Sequence, residues 1–294
     1  MQTLVSNNLS RKQALVALFT ASLLWSSGGL LIKIVEWNPM AIAGARSLIA
    51  AATLLLLCGV PRSCWSKLHV ATALAYASTV VLFVLANKYT TAANAILLQY
   101  TAPIYVIIFG PRVLNEKNSW QDFVLLGLIL SGMTLFFLDE LSPGHMLGNV
   151  MAILSGVSFG MMTVLLRLQK EADPIQSVML GNLMAGAAGV PFMFDEPLSG
   201  SALSGLLVLG VFQLAMSYYL YTKAIKVVRA FDAILITTLE PILNPVWVFL
   251  VTSESPGPWA IIGGSIVIAA VTAKGLLALG KRRPAYHSSQ PSGI

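Results

Sequence analysis

The 294-residue chain is 56% hydrophobic and only 10% charged, with a mean hydropathy of +0.78. A soluble domain carries about 25% charged residues, so this composition excludes a water-soluble globular fold and places most of the chain in lipid. The net charge of +6 would suit a nucleic-acid partner in a soluble protein, but its distribution along the chain has a different cause, given below.

A membrane-spanning helix needs about 20 mostly apolar residues. Ten such runs follow in order: 14–35, 40–60, 68–87, 92–110, 119–138, 147–167, 174–194, 203–223, 231–251 and 258–279. The first is longer than a signal-peptide core and reads as span one. It carries Trp25, Ser26 and Ser27 well inside the bilayer. Span two holds Arg46, and span three Tyr76, Ser78 and Thr79. Span four contains Gln99, Tyr100 and Pro103. Span six carries Ser155, Ser158 and a Gly156/Gly160 pair, and span seven continues small-residue spacing with Gly181, Ala185 and Gly189. These glycines are expected to be packing surfaces within the bundle. Span eight has Gln213, Ser217, Tyr218, Tyr219 and Tyr221; span nine reads Glu240-Pro241-Ile242-Leu243-Asn244-Pro245.

Residues 86–116 recur at 224–254 with a constant shift of 138. Ala86 matches Ala224, Lys88 matches Lys226, and Ala92 matches Ala230. Ala95-Ile96-Leu97 returns as Ala233-Ile234-Leu235, Pro103 as Pro241 and Glu116 as Glu254. Five spans per half is odd, so the second half (141–294) is expected upside down relative to the first (1–140). Inverted repeats of this kind underlie many secondary transporters. The expected class is therefore an all-α polytopic membrane protein, with ten helices as two inverted five-helix repeats around a central cavity.

Numbering the connections by side explains the basic excess. The N-terminal side carries fifteen of the 18 Lys and Arg residues, including Arg229, Lys274 and the tail Lys281-Arg282-Arg283; the opposite side has only Lys33 and Lys88. The positive-inside rule then puts both termini in the cytoplasm of a cell whose inner membrane the chain spans. Trp37, Trp65, Trp120 and Trp259 fall at span ends, as interfacial residues do.

Burying an ionisable side chain in a span costs ~2.5–3.5 kcal/mol on insertion scales. Two roles are open to Glu240, near the midplane: facing a cavity to bind an amine or carry a proton, or a neutral acid bonded to a carbonyl freed by the prolines. Arg46 is expected to be structural, pairing with a carboxylate or snorkelling outward. Prolines at matching places in two halves point to a transporter's site, so Pro103, Pro241 and Pro245 are candidate helix breaks. The candidate cavity residues are Trp25, Tyr76, Thr79, Gln99, Tyr100, Ser158, Gln213, Tyr218, Glu240 and Asn244. Together they describe an amphipathic cavity with little fixed charge, suited to zwitterions and small neutral metabolites.

No enzyme is expected. H-E-x-x-H is absent, Gly156 to Gly160 fits G-x-S-x-G only inside an apolar run and not at a strand-to-helix turn, and His69, His145 and His287 are scattered. Gly275 to Lys281 fits G-x-x-x-x-G-K, but Arg282 replaces the needed Ser or Thr. Cys58 and Cys64 match no metal spacing. No cofactor, metal or nucleic acid is implied; the expected partners are a small-molecule substrate and the bilayer, with a monomer preferred to a dimer.

These residues resemble the drug/metabolite transporter superfamily, specifically its EamA family. The likeness rests on the duplication, Trp25-Ser26-Ser27-Gly28 to Lys33, Arg46, Ala95-Ile96-Leu97 to Pro103 with Glu116, and Ala233-Ile234-Leu235 to Glu240-Pro241 with Glu254. The overall pattern is similar to the YddG-like exporters of aromatic and other amino acids. The resemblance implies a basket in which spans one, three, four, six, eight and nine surround the cavity. It also implies export of amino acids or similar metabolites. The drug-exporter reading stays open, as Glu240 could hold a cation; a channel or intramembrane enzyme ranks below both.

Overall fold

Serine and threonine caps open several of the helices in this computed structural model, which describes residues 9–61, 66–138, 144–197, 199–243 and 257–280. Ser10 starts α1 (Arg11–Trp25) by accepting from the backbone of Gln13, which bonds back to Ser10. Ser66 does the same for α4 (Lys67–Tyr89) with His69, and Thr91 caps α5 (Ala92–Gln99). Each cap satisfies amide groups that the first helical turn leaves without partners.

The remaining helices are α2 (Gly28–Ile34), α3 (Pro39–Cys58), α6 (Ala102–Leu114), α7 (Trp120–Phe136), α8 (Met146–Leu168) and α9 (Ile175–Gly189), then α10 (Gly200–Val208), α11 (Ser217–Ile225), α12 (Ala230–Thr237) and α13 (Pro258–Gly280). A π-helical stretch, Leu209–Met216, joins α10 to α11. Every regular element among the described residues is helical. Among the described residues, eight helical stretches are long and apolar enough to cross a membrane, and the apolar α7 is shorter.

The surface is apolar and the interior holds the polar groups. Leu56 is 88% exposed, with Val16, Phe123 and Ile261 also outward, while Arg46, Asn87, Asn182 and Gln213 are buried. That inversion suits a bundle in hydrocarbon, where polar side chains must find partners inside. Trp120 and Trp259 are exposed at helix starts, as expected. Trp37 is not an interfacial residue: it is buried and donates its indole N–H to the Pro197 carbonyl at 3.0 Å. Trp65 and Trp247 lie outside the described residues.

The helices pack as a closed set. α4 lies against α8 and α9, α3 against α9 and the π stretch, and α7 against α13; α1 contacts α11 and α12, and α6 contacts α8 and α12. Glycines permit the close crossings. A Cβ on Gly44 of α3 would stand 2.6 Å from the Cα of Gly189 in α9, and one on Gly263 of α13 would stand 2.3 Å from the Gly132 carbonyl of α7. Gly156 and Gly160 face the chain break in the fourth span, and Gly181 faces Tyr76. With Gly189, these three pack within the bundle.

A candidate site where broken helices meet

Three of the apolar helical stretches are interrupted, each at hydroxyl residues. Ser26 and Ser27 turn their hydroxyls back onto the carbonyls of Leu23 and Leu24, at 2.7 and 2.9 Å, where α1 gives way to α2. Thr101 bonds the Leu98 carbonyl at 2.7 Å between α5 and α6. Thr237 and Thr238 bond Ile234 and Leu235, at 2.8 and 2.6 Å, at the end of α12; the helix resumes at Glu240. Every one of these bonds reaches three residues back, offering the carbonyl an alternative to the helical ladder.

The prolines do not sit where helix is lost. Pro103 lies in the first turn of α6, and Pro241 just after helix resumes at Glu240. A first-turn proline gives up an N–H that would be unpaired anyway, so the unwound residues precede it. Pro111, by contrast, is inside α6. Pro245 and Asn244 lie outside the described residues, as does Glu254.

A small cavity of about 30 Å³ lies among these breaks. That is room for a water or two, so the site is closed in this conformation. Trp25, Thr79, Gln99, Gln213, Tyr218 and Glu240 line it, as do Arg46, Val80, Phe83, Phe159 and Leu214. Aromatic rings wall one side: Trp25 and Tyr218 meet with centroids 4.9 Å apart, Trp25 and Phe159 at 5.9 Å, and Tyr218 packs on Tyr76 at 4.6 Å. Tyr76 stands behind that wall and donates to Asn182 at 3.1 Å. Tyr100 also stands behind the lining; its hydroxyl donates to a carboxylate oxygen of Glu240 and lies 3.0 Å from the Thr237 carbonyl.

The polar wall is tied across helices. Gln99 donates to the Ser155 hydroxyl at 2.8 Å, which donates to the Thr79 carbonyl at 3.0 Å. Ser155, fully buried, takes the inward position; Ser158 is half-buried and not part of the lining. Phe159 occupies the cavity-facing place beside it.

Arg46 departs from the expectation for it. It is 1% exposed, so it does not snorkel, and no carboxylate among the described residues comes within 4.0 Å of it. Its Nη1 donates to Gln213 at 3.1 Å and Nη2 to the Val80 carbonyl at 2.8 Å. Gln213 sits in the π stretch, a widened turn of the kind often found at functional sites. The position of Arg46 well inside an apolar run is the sequence signal for this role; which way it faces has none.

At the end of the bundle where α1 begins, buried charges are concentrated. Lys274 bridges Asp122 of α7 and Asp232 of α12, lying 2.8 Å from the latter. Arg229 pairs with Asp232 at 2.7 Å and Asp122 at 3.2 Å. Against the cost of its burial, those two carboxylates hold the Arg229 proton more tightly than usual. Glu116 accepts from Arg167 at 2.7 Å and from the backbone N–H of Ala230 at 3.0 Å, supporting the start of α12. The opposite end is joined by charge-to-carbonyl and neutral bonds, such as Lys33 to Thr90 at 3.1 Å and Thr90 to Asn149 at 2.9 Å.

Comparison with known proteins now decides the family. The model of the EamA-like transporter family matches residues 12–138 and again residues 146–273. The chain belongs to that family. Two transporters of Archaeoglobus fulgidus, both described as uncharacterized, are similar to this EamA-like chain. One is 29% identical over 292 residues, covering 89% of this chain and 96% of the relative; the other is 28% identical over 196 residues, covering 66% and 70%. A protein solved by crystallography shares the fold with a TM-score of 0.78, at 18% identity, over 92% of this chain and 100% of that one. This EamA-like protein is thus a membrane transporter of small molecules.

Proposed function

We propose that this EamA-like transporter exports amino acids, aromatic and neutral ones included, or similar small metabolites across the cytoplasmic membrane by alternating access. The observation that carries the reading is that Arg46 and Glu240 both line one cavity, with aromatic rings and amides among its other walls, placed where interrupted helices meet. A guanidinium and an acid facing one cavity in an apolar setting suit a zwitterion. Trp25, Tyr76, Thr79, Gln99, Tyr100, Gln213, Tyr218 and Glu240 are the proposed substrate surroundings. Pro103 and Pro241 pre-set the turns that follow two of the breaks.

The architecture behind the mechanism is ten spans as two inverted five-helix halves, 1–140 and 141–294. The ten are the eight long stretches, α7, and the span that α12 begins. The double family match supports this division. So does the packing: exchanging span one with six, two with seven, and so on turns the α4–α8 contact into α1–α11, and α6–α8 into α1–α12, while α3–α9, α7–α13 and α6–α12 map onto themselves. Two near-equivalent halves can exchange conformations and so exchange the open side. The charge distribution supports cytoplasmic termini in an inner membrane.

Counterflow in proteoliposomes tests the reading. Vesicles preloaded with aromatic, neutral or charged amino acids are expected to accumulate labelled substrate without an ion gradient, and a flat result across the panel counts against it. The second reading is export of drugs or organic cations, favoured by Glu240. The buried cation Arg46 in the same cavity weighs against it. Single-channel current in a planar bilayer would instead mark a channel.

A further inference from the structure

We propose that Arg46 is the anchor for a carboxylate on the transported molecule, an inference that rests on the transporter reading and names a chemical requirement for its substrate. Arg46 offers five N–H donors in a fixed fork. Two of its nitrogens donate to neutral acceptors, the Gln213 side chain and the Val80 carbonyl, and its Nε has no partner. A guanidinium taken wholly out of water without an opposite charge is costly, and such groups are normally paired. Here the pairing charge is missing from the surroundings described, while the side chain lines a cavity.

A second buried donor points the same way. The Trp25 indole Nε1 is also without a partner, on a side chain 3% exposed that lines the same cavity. Two unpaired donors, one of them cationic, call for an acceptor-rich anionic group. A carboxylate fits, because its two oxygens can take a bidentate pair from arginine. The neighbouring rings of Trp25, Tyr218 and Phe159 offer a face for an apolar side chain, and Glu240 offers an opposite pole for an ammonium.

The arrangement also links occupancy to movement. Arg46 belongs to α3 and Gln213 to the π stretch before α11, so their bond joins the two halves of the chain. Gln213 is confined on its other side: a Cβ on Gly28 would stand 2.8 Å from its Nε2. With so little free volume, a substrate enters only when the halves part. A carboxylate that takes over from Gln213 replaces the bond that parting breaks.

Thermal unfolding of the purified full-length protein in detergent, with matched ligands, tests this. The panel comprises aromatic, branched and small neutral amino acids, each beside its carboxamide and its decarboxylated amine. Ligands that bind the folded state raise the midpoint with concentration. At least one amino acid is expected to bind about tenfold or more tightly than its amide and amine, since the lost charge-assisted pair sets that ratio. R46Q is expected to bring the three within about threefold, and R46K, which keeps the charge but not the fork, to fall between. Equal stabilisation by acid, amide and amine, or none by any acid, overturns the proposal. The wild-type comparison needs no variant, so a misfolded R46Q does not rescue it. Counterflow on the same panel separates the two readings. Transport indifferent to the carboxylate removes the anchor and keeps the carrier, whereas carboxylate-selective binding without counterflow keeps the anchor and removes the carrier.

Discussion

The hydroxyl of Tyr100 donates to the carboxylate of Glu240, joining the break between α5 and α6 to the break that follows α12. The two residues lie in the two segments that the family model matches, and the repeat shift of 138 maps Tyr100 onto Thr238, two residues before Glu240. One bond therefore couples two unwound segments directly.

Removing that hydroxyl leaves a buried carboxylate oxygen without its donor. Y100F is expected to lower stability by about 1–3 kcal/mol and to slow counterflow, because the two breaks would no longer move together. Thermal unfolding and counterflow rates check the two effects. A variant as stable and as fast as the parent would make the bond incidental.

Glu240 is the acid within reach of both the cavity and Tyr100. E240Q keeps the shape and removes the charge, and is expected to reduce transport and flatten its dependence on pH between about pH 5 and 8. Counterflow measured across that window is the check. Unchanged rates throughout would take Glu240 out of the mechanism.

The charge cluster of Asp122, Asp232, Lys274 and Arg229 closes one end of the bundle. Lys274, Asp122 and Asp232 are nearly fully buried, with side chains 5%, 2% and 3% exposed. K274M strands two carboxylates on fewer cations and is expected to cost about 3–5 kcal/mol. Adding D122N restores the balance and is expected to recover part of that loss. Thermal unfolding of the single and double variants decides; no recovery in the double would mean that Lys274 contributes packing rather than charge.

The α3–α9 crossing depends on the absence of side chains at Gly44 and Gly189. G44A or G189A is expected to destabilise by about 1–3 kcal/mol through overpacking, since a methyl group at either would stand within 2.6 Å of the other's Cα. G110A, where nothing lies within 4 Å of the added carbon, serves as the control and is expected to be near neutral.

The proposed orientation predicts that a fluorescent protein fused after Ile294 folds in the cytoplasm and glows, whereas alkaline phosphatase at the same place stays inactive. The reverse pattern would invert the topology and with it the assignment of the charged end.

The membrane class is legible in the scarcity of charge, and two of the three broken helices in Pro103 and Pro241, whereas the break at Ser26-Ser27 has no proline to mark it. Two further things are not legible. The sequence depth of Arg46 locates it in a span but says nothing of its facing, which depends on the π turn that carries Gln213, 167 residues away. Periodicity gives no sign of that turn, because one inserted residue changes the register without changing the composition. The link between Lys274 and Asp122 spans 152 residues; each alone reads as an ordinary helix-end charge. Prolines, too, mark a break less directly than expected: they pre-set the turn that follows it, and the neighbouring serines and threonines take up the loosened carbonyls.

That last arrangement has a mechanical consequence. Each interruption carries a hydroxyl bonded to a carbonyl in its own stretch of helix, three residues back, whatever bonds it also makes to a neighbouring helix. Such a joint carries its own fastening with it. The half-helices on either side can swing relative to the bundle while these local bonds stay made, so the motion disturbs only the contacts between helices. Any such swing would be limited by the few long-range bonds at the breaks, Tyr100 to Glu240 among them, while the local hydroxyl bonds travel with the joints.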